Sequence, residues 1–287
     1  MQLVRFDDVA RFAEAVTDFL AAREAENNLF LGLLSTLKVN PYAYGGEYPY
    51  MALVKVGDEV CGAALRTPPH HLHVSWMADS GPLEVILPDV QREYGSLPGI
   101  FGISPLVRTA AEQWHRLTGQ PYNLSTAERS YQLEKVNPVP AVTGEMRQIT
   151  EADRDLMVDW LVAFAMDAHL ERDRARAEKG VAAALEGKIR RLYLWEDNGV
   201  PVSLAGCAGE TLNGIRVGPV YTPLEYRRKG YATALVAALS QLLLDEGRKY
   251  CFLFTDLSNP TSNHIYMEIG YQPVCDMDMY RFGEASG

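Results

Sequence analysis

The sequence predicts an α/β (α+β) chain made of two tandem copies of one fold, each a mixed, mostly antiparallel sheet flanked by helices. Three observations predict it. Strand-like and helix-like stretches alternate along the whole length. A Pro-containing stretch, Asn137 to Gly144, interrupts them near the middle, and the same order of elements then starts again. Landmarks recur at one spacing: the hairpin-opening Tyr50 and Tyr193 stand 143 residues apart, and the return-strand Gly62 and Gly206 stand 144 apart. The expected domains are therefore residues 1–143 and 144–287.

In the first copy, Leu3 to Arg5 reads as a short strand. Asp7-Asp8 then precedes Val9, Phe12, Ala13, Val16, Phe19 and Leu20, whose spacing predicts an amphipathic helix with acid at its start. A second helix follows over 25–37. Tyr50 to Val56 and Val60 to Leu65 form a hairpin turned by Gly57-Asp58. His70, His71 and His73 read as a loop leading into a strand over Val74 to Met77. No carboxylate or cysteine beside them completes a metal set. Helix over 83–95, strand over Ile100 to Ile103, helix over Pro105 to Leu117 ending at Gly119, and strand over Tyr131 to Val136 complete the copy.

The second copy opens with the strand Met146 to Ile149. Thr150 and Asp153 have capping-box spacing ahead of a helix carrying Leu156, Trp160, Leu161 and Phe164. A charged, solvated segment around 171–179 leads to a helix over 178–188. Arg191 to Glu196 and Val202 to Ala208 form a hairpin on the turn Asn198-Gly199. A β-branched, apolar run ends at Thr222-Pro223. A polar turn holding Arg227, Arg228, Lys229 and Gly230 follows. Leu235, Ala238, Leu239, Leu242 and Leu243 then repeat with helical spacing.

This strand–turn–helix is the chemically informative stretch. The first N–H groups of a helix have no intrahelical acceptor, and the helix dipole favours an anion beside them. Gly230 lets the backbone approach a ligand closely. Three cations flank it in a chain whose formal charge is −10. The pattern suits a phosphate or pyrophosphate, and it is neither the P-loop nor the dinucleotide fingerprint.

Two motifs carry a resemblance. Arg227, Gly230 and Ala232 give Arg-x-x-Gly-x-Ala. About forty residues later, Asn259, Ser262, Tyr266, Gly270 and Tyr271 give Asn-x-x-Ser-x-x-x-Tyr-x-x-x-Gly-Tyr. In order and spacing the pair resembles the coenzyme A site of the GNAT family of N-acetyltransferases. The resemblance implies acyl-CoA N-acyltransferase-like domains and acetyl-CoA as cosubstrate, with no metal. Backbone groups from Arg228 through Lys229, Gly230, Tyr231 and Ala232 to Thr233 would hold the pyrophosphate, and Arg227 would brace the loop. The pantetheine arm would pair with Val220 and Thr222, on either side of Tyr221. Asn259 and Ser262 would meet the cofactor from the next helix, and Tyr266 would serve as general acid. Neither motif occurs in the first copy, which the resemblance identifies as a degenerate GNAT-like domain walling the acceptor pocket of a catalytic residue 144–287 domain.

The implied reaction moves an acetyl group to a primary amine, on a small molecule or a peptide. A lysine-like amine has a pKa near ~10.4, so about one molecule in a few thousand is neutral at pH 7 and a proton must be removed. Glu210 and Asp256 are candidates for that base. The acceptor pocket is expected near Phe164 to Glu171, where Asp167 could meet a cation. The alternatives are transfer of a longer acyl group, transfer to a hydroxyl, and a noncatalytic acyl-CoA sensor or interaction module. The acidic balance and lack of a basic stripe argue against nucleic acid. No run reaches the length of a membrane span, and the start of the chain lacks a secretory pattern. With Cys61, Cys207, Cys251 and Cys275 widely spaced, a cytoplasmic protein with free thiols is expected. Oligomeric state is left open.

Overall fold

The structure, a computed structural model, describes residues 1–168, 172–187 and 189–283. The chain divides into two compact units. Unit 1 holds Met1–Tyr131, Phe254–Asn259 and the chain from Pro273 onward; unit 2 holds Gln132–Leu253 and Pro260–Gln272. The sequence repeat and the compact units are thus cut at different places, because the last strand of the chain is part of unit 1.

Unit 1 is built from β1 (Gln2–Phe6), α1 (Val9–Ala21), α2 (Asn28–Val39), β2 (Tyr50–Val56), β3 (Glu59–Arg66), β4 (Leu72–Val74), α3 (Leu83–Tyr94), β5 (Gly99–Ile103), α4 (Ser104–Thr118) and β6 (Tyr122–Leu133). The final strand, Gln272–Phe282, enters it between β5 and β6, antiparallel to β5. β2 shows why the unit has three layers. Tyr50, Ala52 and Val54 pack with α3 and α4, while Met51 and Leu53 pack with α1 and α2. Successive strand side chains point to opposite faces, so a strand buried on both sides reads as an unbroken apolar run. On α1, Val9, Phe12, Ala13, Val16 and Leu20 form the buried stripe, and Asp8 caps the helix by accepting the Arg11 N–H at 2.8 Å.

Unit 2 contains β7 (Glu145–Gln148), α5 (Arg154–Asp167), α6 (Arg174–Glu186), β8 (Arg190–Asp197), β9 (Val200–Glu210), β10 (Gly214–Tyr221), α7 (Tyr231–Asp245), the start of β11 (Tyr250–Asp256) and α8 (Pro260–Ile269); the final strand is β12. Its strand order is β11-β10-β9-β8-β7, with β10 parallel to β11 and the other pairs antiparallel. The capping box at the start of α5 forms: Asp153 Oδ2 accepts the Thr150 N–H at 2.7 Å. Met157, Val158 and Leu161 of α5 and Val181 of α6 cover Leu192, Leu194 and Leu204 of the sheet.

Several local expectations are corrected. The charged segment is helical from Arg174, because Asp173 caps it by accepting the Arg176 N–H at 2.9 Å and Arg174 pairs with Asp159 at 2.7 Å. β4 spans Leu72–Val74 rather than 74–77, so His73 lies within a strand. β6 starts at Tyr122, nine residues before the expected strand. Among the described residues, no helix is long and apolar enough to cross a membrane, and no group of three or more His, Cys, Asp or Glu could hold a metal ion. All four cysteines are free.

Candidate active site

The site begins with a break in strand pairing. β10 pairs with β11 only over Gly214–Arg216 with Tyr250–Phe252. On its other edge, Val217 lies opposite Cys207 and Val220 opposite Ala205, so β10 advances three residues while β9 advances two. The extra residue is a bulge at Gly218-Pro219, which bends the strand and increases its twist. Proline has no N–H to offer a neighbouring strand. The bulge sits against Gly206, where a Cβ would meet the Gly218 carbonyl oxygen at 3.1 Å and Leu192 Cδ2 at 2.7 Å. Past Arg216 the β11-side edge of β10, through Val220 and Tyr221 and on to Thr222, is left for another extended partner.

The turn that follows is anchored by α7. Leu235, Val236, Leu239 and Leu243 are fully buried, and Tyr271 donates to or accepts from Ser240 on the same helix at 2.8 Å. A short 3-10 turn over Leu224–Tyr226 leads into the loop. Arg228 (φ 61°) and Gly230 (φ 83°) both lie in the left-handed region, on either side of Lys229. Alternating backbone handedness of this kind makes successive N–H groups converge in a concave nest for an anion. The first N–H of this region with an acceptor is that of Ala234, bonded to the Gly230 carbonyl at 3.0 Å. Among the described residues, the N–H groups of Arg228, Lys229, Gly230, Tyr231, Ala232 and Thr233 have none. Six successive donors without an acceptor, at the positive end of a helix dipole, form an anion cradle.

Side chains hold this backbone in place. Arg227 Nε donates to the Thr222 carbonyl oxygen at 2.8 Å, and its Nη2 pairs with Asp167 at the end of α5. Ser203 Oγ and Thr222 Oγ1 are 2.8 Å apart. Trp160 packs on Tyr221 with ring centroids 6.0 Å apart. Tyr231 OH donates to Asp197 Oδ2 at 2.6 Å. Lys229 Nζ stands 5.4 Å from the Tyr226 ring centroid. Sequence reasoning missed Trp160, Asp197 and Ser203. The signal available for Asp197 was its place beside the Asn198-Gly199 hairpin turn; Ser203 and Trp160 carried none.

On α8, Tyr266 is half-buried, with its ring 6.0 Å from that of Tyr271 in an edge-on arrangement. Burial alone pushes its phenol up to about 12. Among the described residues it has no hydrogen-bond partner. Ser262 lies in the first turn of α8, in the same unit. Asn259 belongs to unit 1, where its N–H donates to the Asp256 carbonyl at 3.0 Å.

Comparison with known proteins places one part of the chain. Residues 154–271 match the model of the acetyltransferase (GNAT) family. The chain carries a GNAT-family domain. The GNAT match runs from α5 through the anion cradle and Tyr266 to Tyr271. Solved structures extend the fold to the whole chain at low identity. A Drosophila protein matches with a TM-score of 0.69 at 13% identity, over 99% of this chain and 99% of that one. A tandem GNAT protein from the clavulanic acid biosynthesis pathway matches at 0.61 and 14%, over 100% and 99%. A GCN5-related N-acetyltransferase from Sphaerobacter thermophilus matches at 0.61 and 16%, over 97% and 95%. No curated protein matches the chain in sequence.

Within the GNAT domain, the structure does not bring Glu210 to the cradle. Glu210 is the last residue of β9, opposite Ile215 at the end where β10 and β11 are still paired. Seven residues separate Ile215 from Thr222, roughly 20 Å of extended chain. Its carboxylate pairs with Arg248 at 2.5 Å. Asp256 lies in unit 1, where its Oδ1 accepts the Ser258 N–H at 2.7 Å. Of the expected acceptor-pocket segment, Phe164 to Ala168 is described, and residues 169–171 lie outside the described residues.

Proposed function

We propose that the GNAT domain transfers an acetyl group from acetyl-CoA to a primary amine on a small molecule or peptide. The observation that carries the reading is the run of six N–H groups, Arg228 to Thr233, that have no acceptor among the described residues, beside a β10 edge that has no strand partner among them. A diphosphate and an extended amide-bearing arm are the two groups those features select. Phosphate oxygens accept from the cradle, with Arg228 and Lys229 adding charge. The arm pairs with the backbone of Val220 and Thr222 as an added strand would. Arg227 holds the end of β10 and the loop in one piece.

In the chemical step the amine nitrogen forms a bond to the acetyl carbon and the carbon–sulfur bond breaks. The sulfur leaves with a proton or a hydrogen bond. Tyr266 is the residue assigned to it. A thiol has a pKa near ~8.5, so full transfer from a phenol near 12 is uphill by about 5 kcal/mol. Tyr266 therefore acts as a hydrogen-bond donor to the leaving sulfur, strongest when charge develops there. The ammonium of the acceptor loses its proton before attack, to water in this reading, since Glu210 is committed to Arg248. The N-terminal repeat, which lacks both motifs, is read as a GNAT-like domain without a cofactor site.

Calorimetric binding of acetyl-CoA to the wild type and to Gly230→Glu tests the cradle. A Cβ at Gly230 would meet Val142 Cγ1 at 2.9 Å, and the residue has a positive φ. The expected result is binding to the wild type and at least a hundredfold loss (about 3 kcal/mol) in the variant. Equal binding by both removes the cradle from the reading. CoA release in the presence of a panel of amines then separates an enzyme from a sensor that binds without turnover.

A further inference from the structure

The two repeats provide a comparison within one chain. In unit 2, Glu210, Ile215 and Cys251 lie in one row across β9, β10 and β11. In unit 1 the same row is Arg66, Leu72 and Ile100 across β3, β4 and β5. Glu210 finds its counter-ion, Arg248, in the turn between α7 and β11. The corresponding turn of unit 1, between α3 and β5, reads Gly95-Ser96-Leu97-Pro98 and carries no charge.

Arg66 is nonetheless buried, at 7% exposure. Its Nε donates to the His70 carbonyl oxygen at 2.9 Å, and the Tyr94 ring lies over it with its centroid 4.0 Å from Cζ. Among the described residues, no carboxylate stands within 4.0 Å of it. Glu93, next to Tyr94, is bound to Arg5 at 2.8 Å, and Glu47 acts on the Tyr94 phenol rather than pairing with the arginine. His71 is pushed down to about 4, first by burial and then by Arg281, His70 and Arg66, so it is neutral at pH 7 and supplies no charge to offset or add to Arg66. A buried guanidinium without a counter-ion is costly unless something supplies one.

Arg66 lines a cleft of about 480 Å³, together with Ser96, Leu97, Pro98 and Phe282, all in unit 1. The cleft is shallow and open to solvent, with the buried guanidinium at its wall. We propose that this cleft of unit 1 binds a small organic carboxylate, whose oxygens take on Arg66 the place that the Glu210 carboxylate takes on Arg248. A carboxylate is the planar acceptor that matches two parallel N–H groups of a guanidinium. The site lies beside the turn between α3 and β5 and does not depend on the acyltransferase reading.

The test is calorimetric titration of the full chain with succinate at constant ionic strength. Uncharged succinamide is the control. Ser96→Asp supplies the missing counter-ion from an exposed turn position, and Arg66→Gln removes the cation. The wild type is expected to bind succinate with a Kd below about 10 mM, and each variant at least about tenfold more weakly. Succinamide is expected not to bind, and acetyl-CoA affinity is expected to be the same in wild type and Ser96→Asp. Two results overturn the proposal: no succinate binding by the wild type in that range, or equal binding by wild type and Ser96→Asp.

Discussion

Arg227 Nε donates to the carbonyl oxygen of Thr222 at 2.8 Å, closing the loop between the end of β10 and the anion cradle. The same guanidinium reaches Asp167, so one side chain ties α5, β10 and the cradle together. Arg227→Ala is expected to weaken acetyl-CoA binding about tenfold, the loss of one charge-assisted hydrogen bond (roughly 1.5 kcal/mol). Arg227→Lys is not expected to restore it, because an ammonium cannot present the same planar fork to both acceptors. Stability should change by about 0.5 kcal/mol or less, since the side chain is partly exposed. Calorimetry and urea unfolding read the two effects separately.

Tyr266→Phe is expected to lower kcat at least about tenfold with acetyl-CoA affinity kept, because in the proposed step the hydroxyl acts on the leaving sulfur rather than on the bound ground state. The pH dependence has a definite sign. The phenol is raised from about 10 to about 12 by burial. The folded state thus holds its proton over a range where the unfolded state has lost it, and stability falls between about pH 10 and 12. Below that range Tyr266 stays protonated and adds no inflection to the rate profile. Urea unfolding from pH 8 to 11 should show the alkaline loss in the wild type and a smaller one in Tyr266→Phe.

Glu210→Gln is expected to leave kcat/KM for acetyl transfer within about twofold of wild type. The carboxylate is exposed and paired with Arg248, so its removal should cost about 0.2–1 kcal/mol of stability. A hundredfold fall in kcat, restored at high pH, would instead make Glu210 the base and overturn its assignment as a structural ion pair.

Asp153→Asn is expected to destabilise the protein by about 2 kcal/mol at pH 7. Arg147 grips the carboxylate through two hydrogen bonds, of 2.8 and 2.9 Å, and the Thr150 N–H adds a third of 2.7 Å. Together, led by Arg147, they hold Asp153 down to about 2 against an ordinary value of 3.8. A depressed carboxylate contributes stability that is present above its unfolded value and lost as pH falls through the folded one. The difference between wild type and variant should therefore shrink between about pH 4 and pH 2. Denaturant unfolding across that range measures it.

Much of the site was legible because its chemistry is local in the chain. The strand, the polar turn with Gly230 and the apolar repeat of α7 are adjacent in sequence, so their spacing was enough to predict a cradle. The Asn259-to-Tyr271 motif was readable for the same reason, since a helix fixes Ser262 and Tyr266 at neighbouring positions. The expected repeat rests on apolar runs and turn residues at a common spacing, a pattern that buried strands and their hairpin turns impose locally. The charged start of α6 was not legible as helix, because an exposed capping residue and an Arg174–Asp159 pair decided it.

By itself the sequence determined the mixed α/β fold class and the strand–turn–helix that carries Arg227, Gly230 and Ala232, and it led to the expectation of a repeat whose first copy lacks that motif. Only the tertiary structure decided that β12 is part of unit 1, that Glu210 lies opposite Ile215 with Arg248 as its partner, and that Arg66 is buried with, among the described residues, no carboxylate beside it. The physical reason is the same in each case. Strand pairing and ion pairing join residues far apart in sequence, and their register follows from how whole layers pack. Turn chemistry and helical spacing act over a few residues, and those the chain states directly.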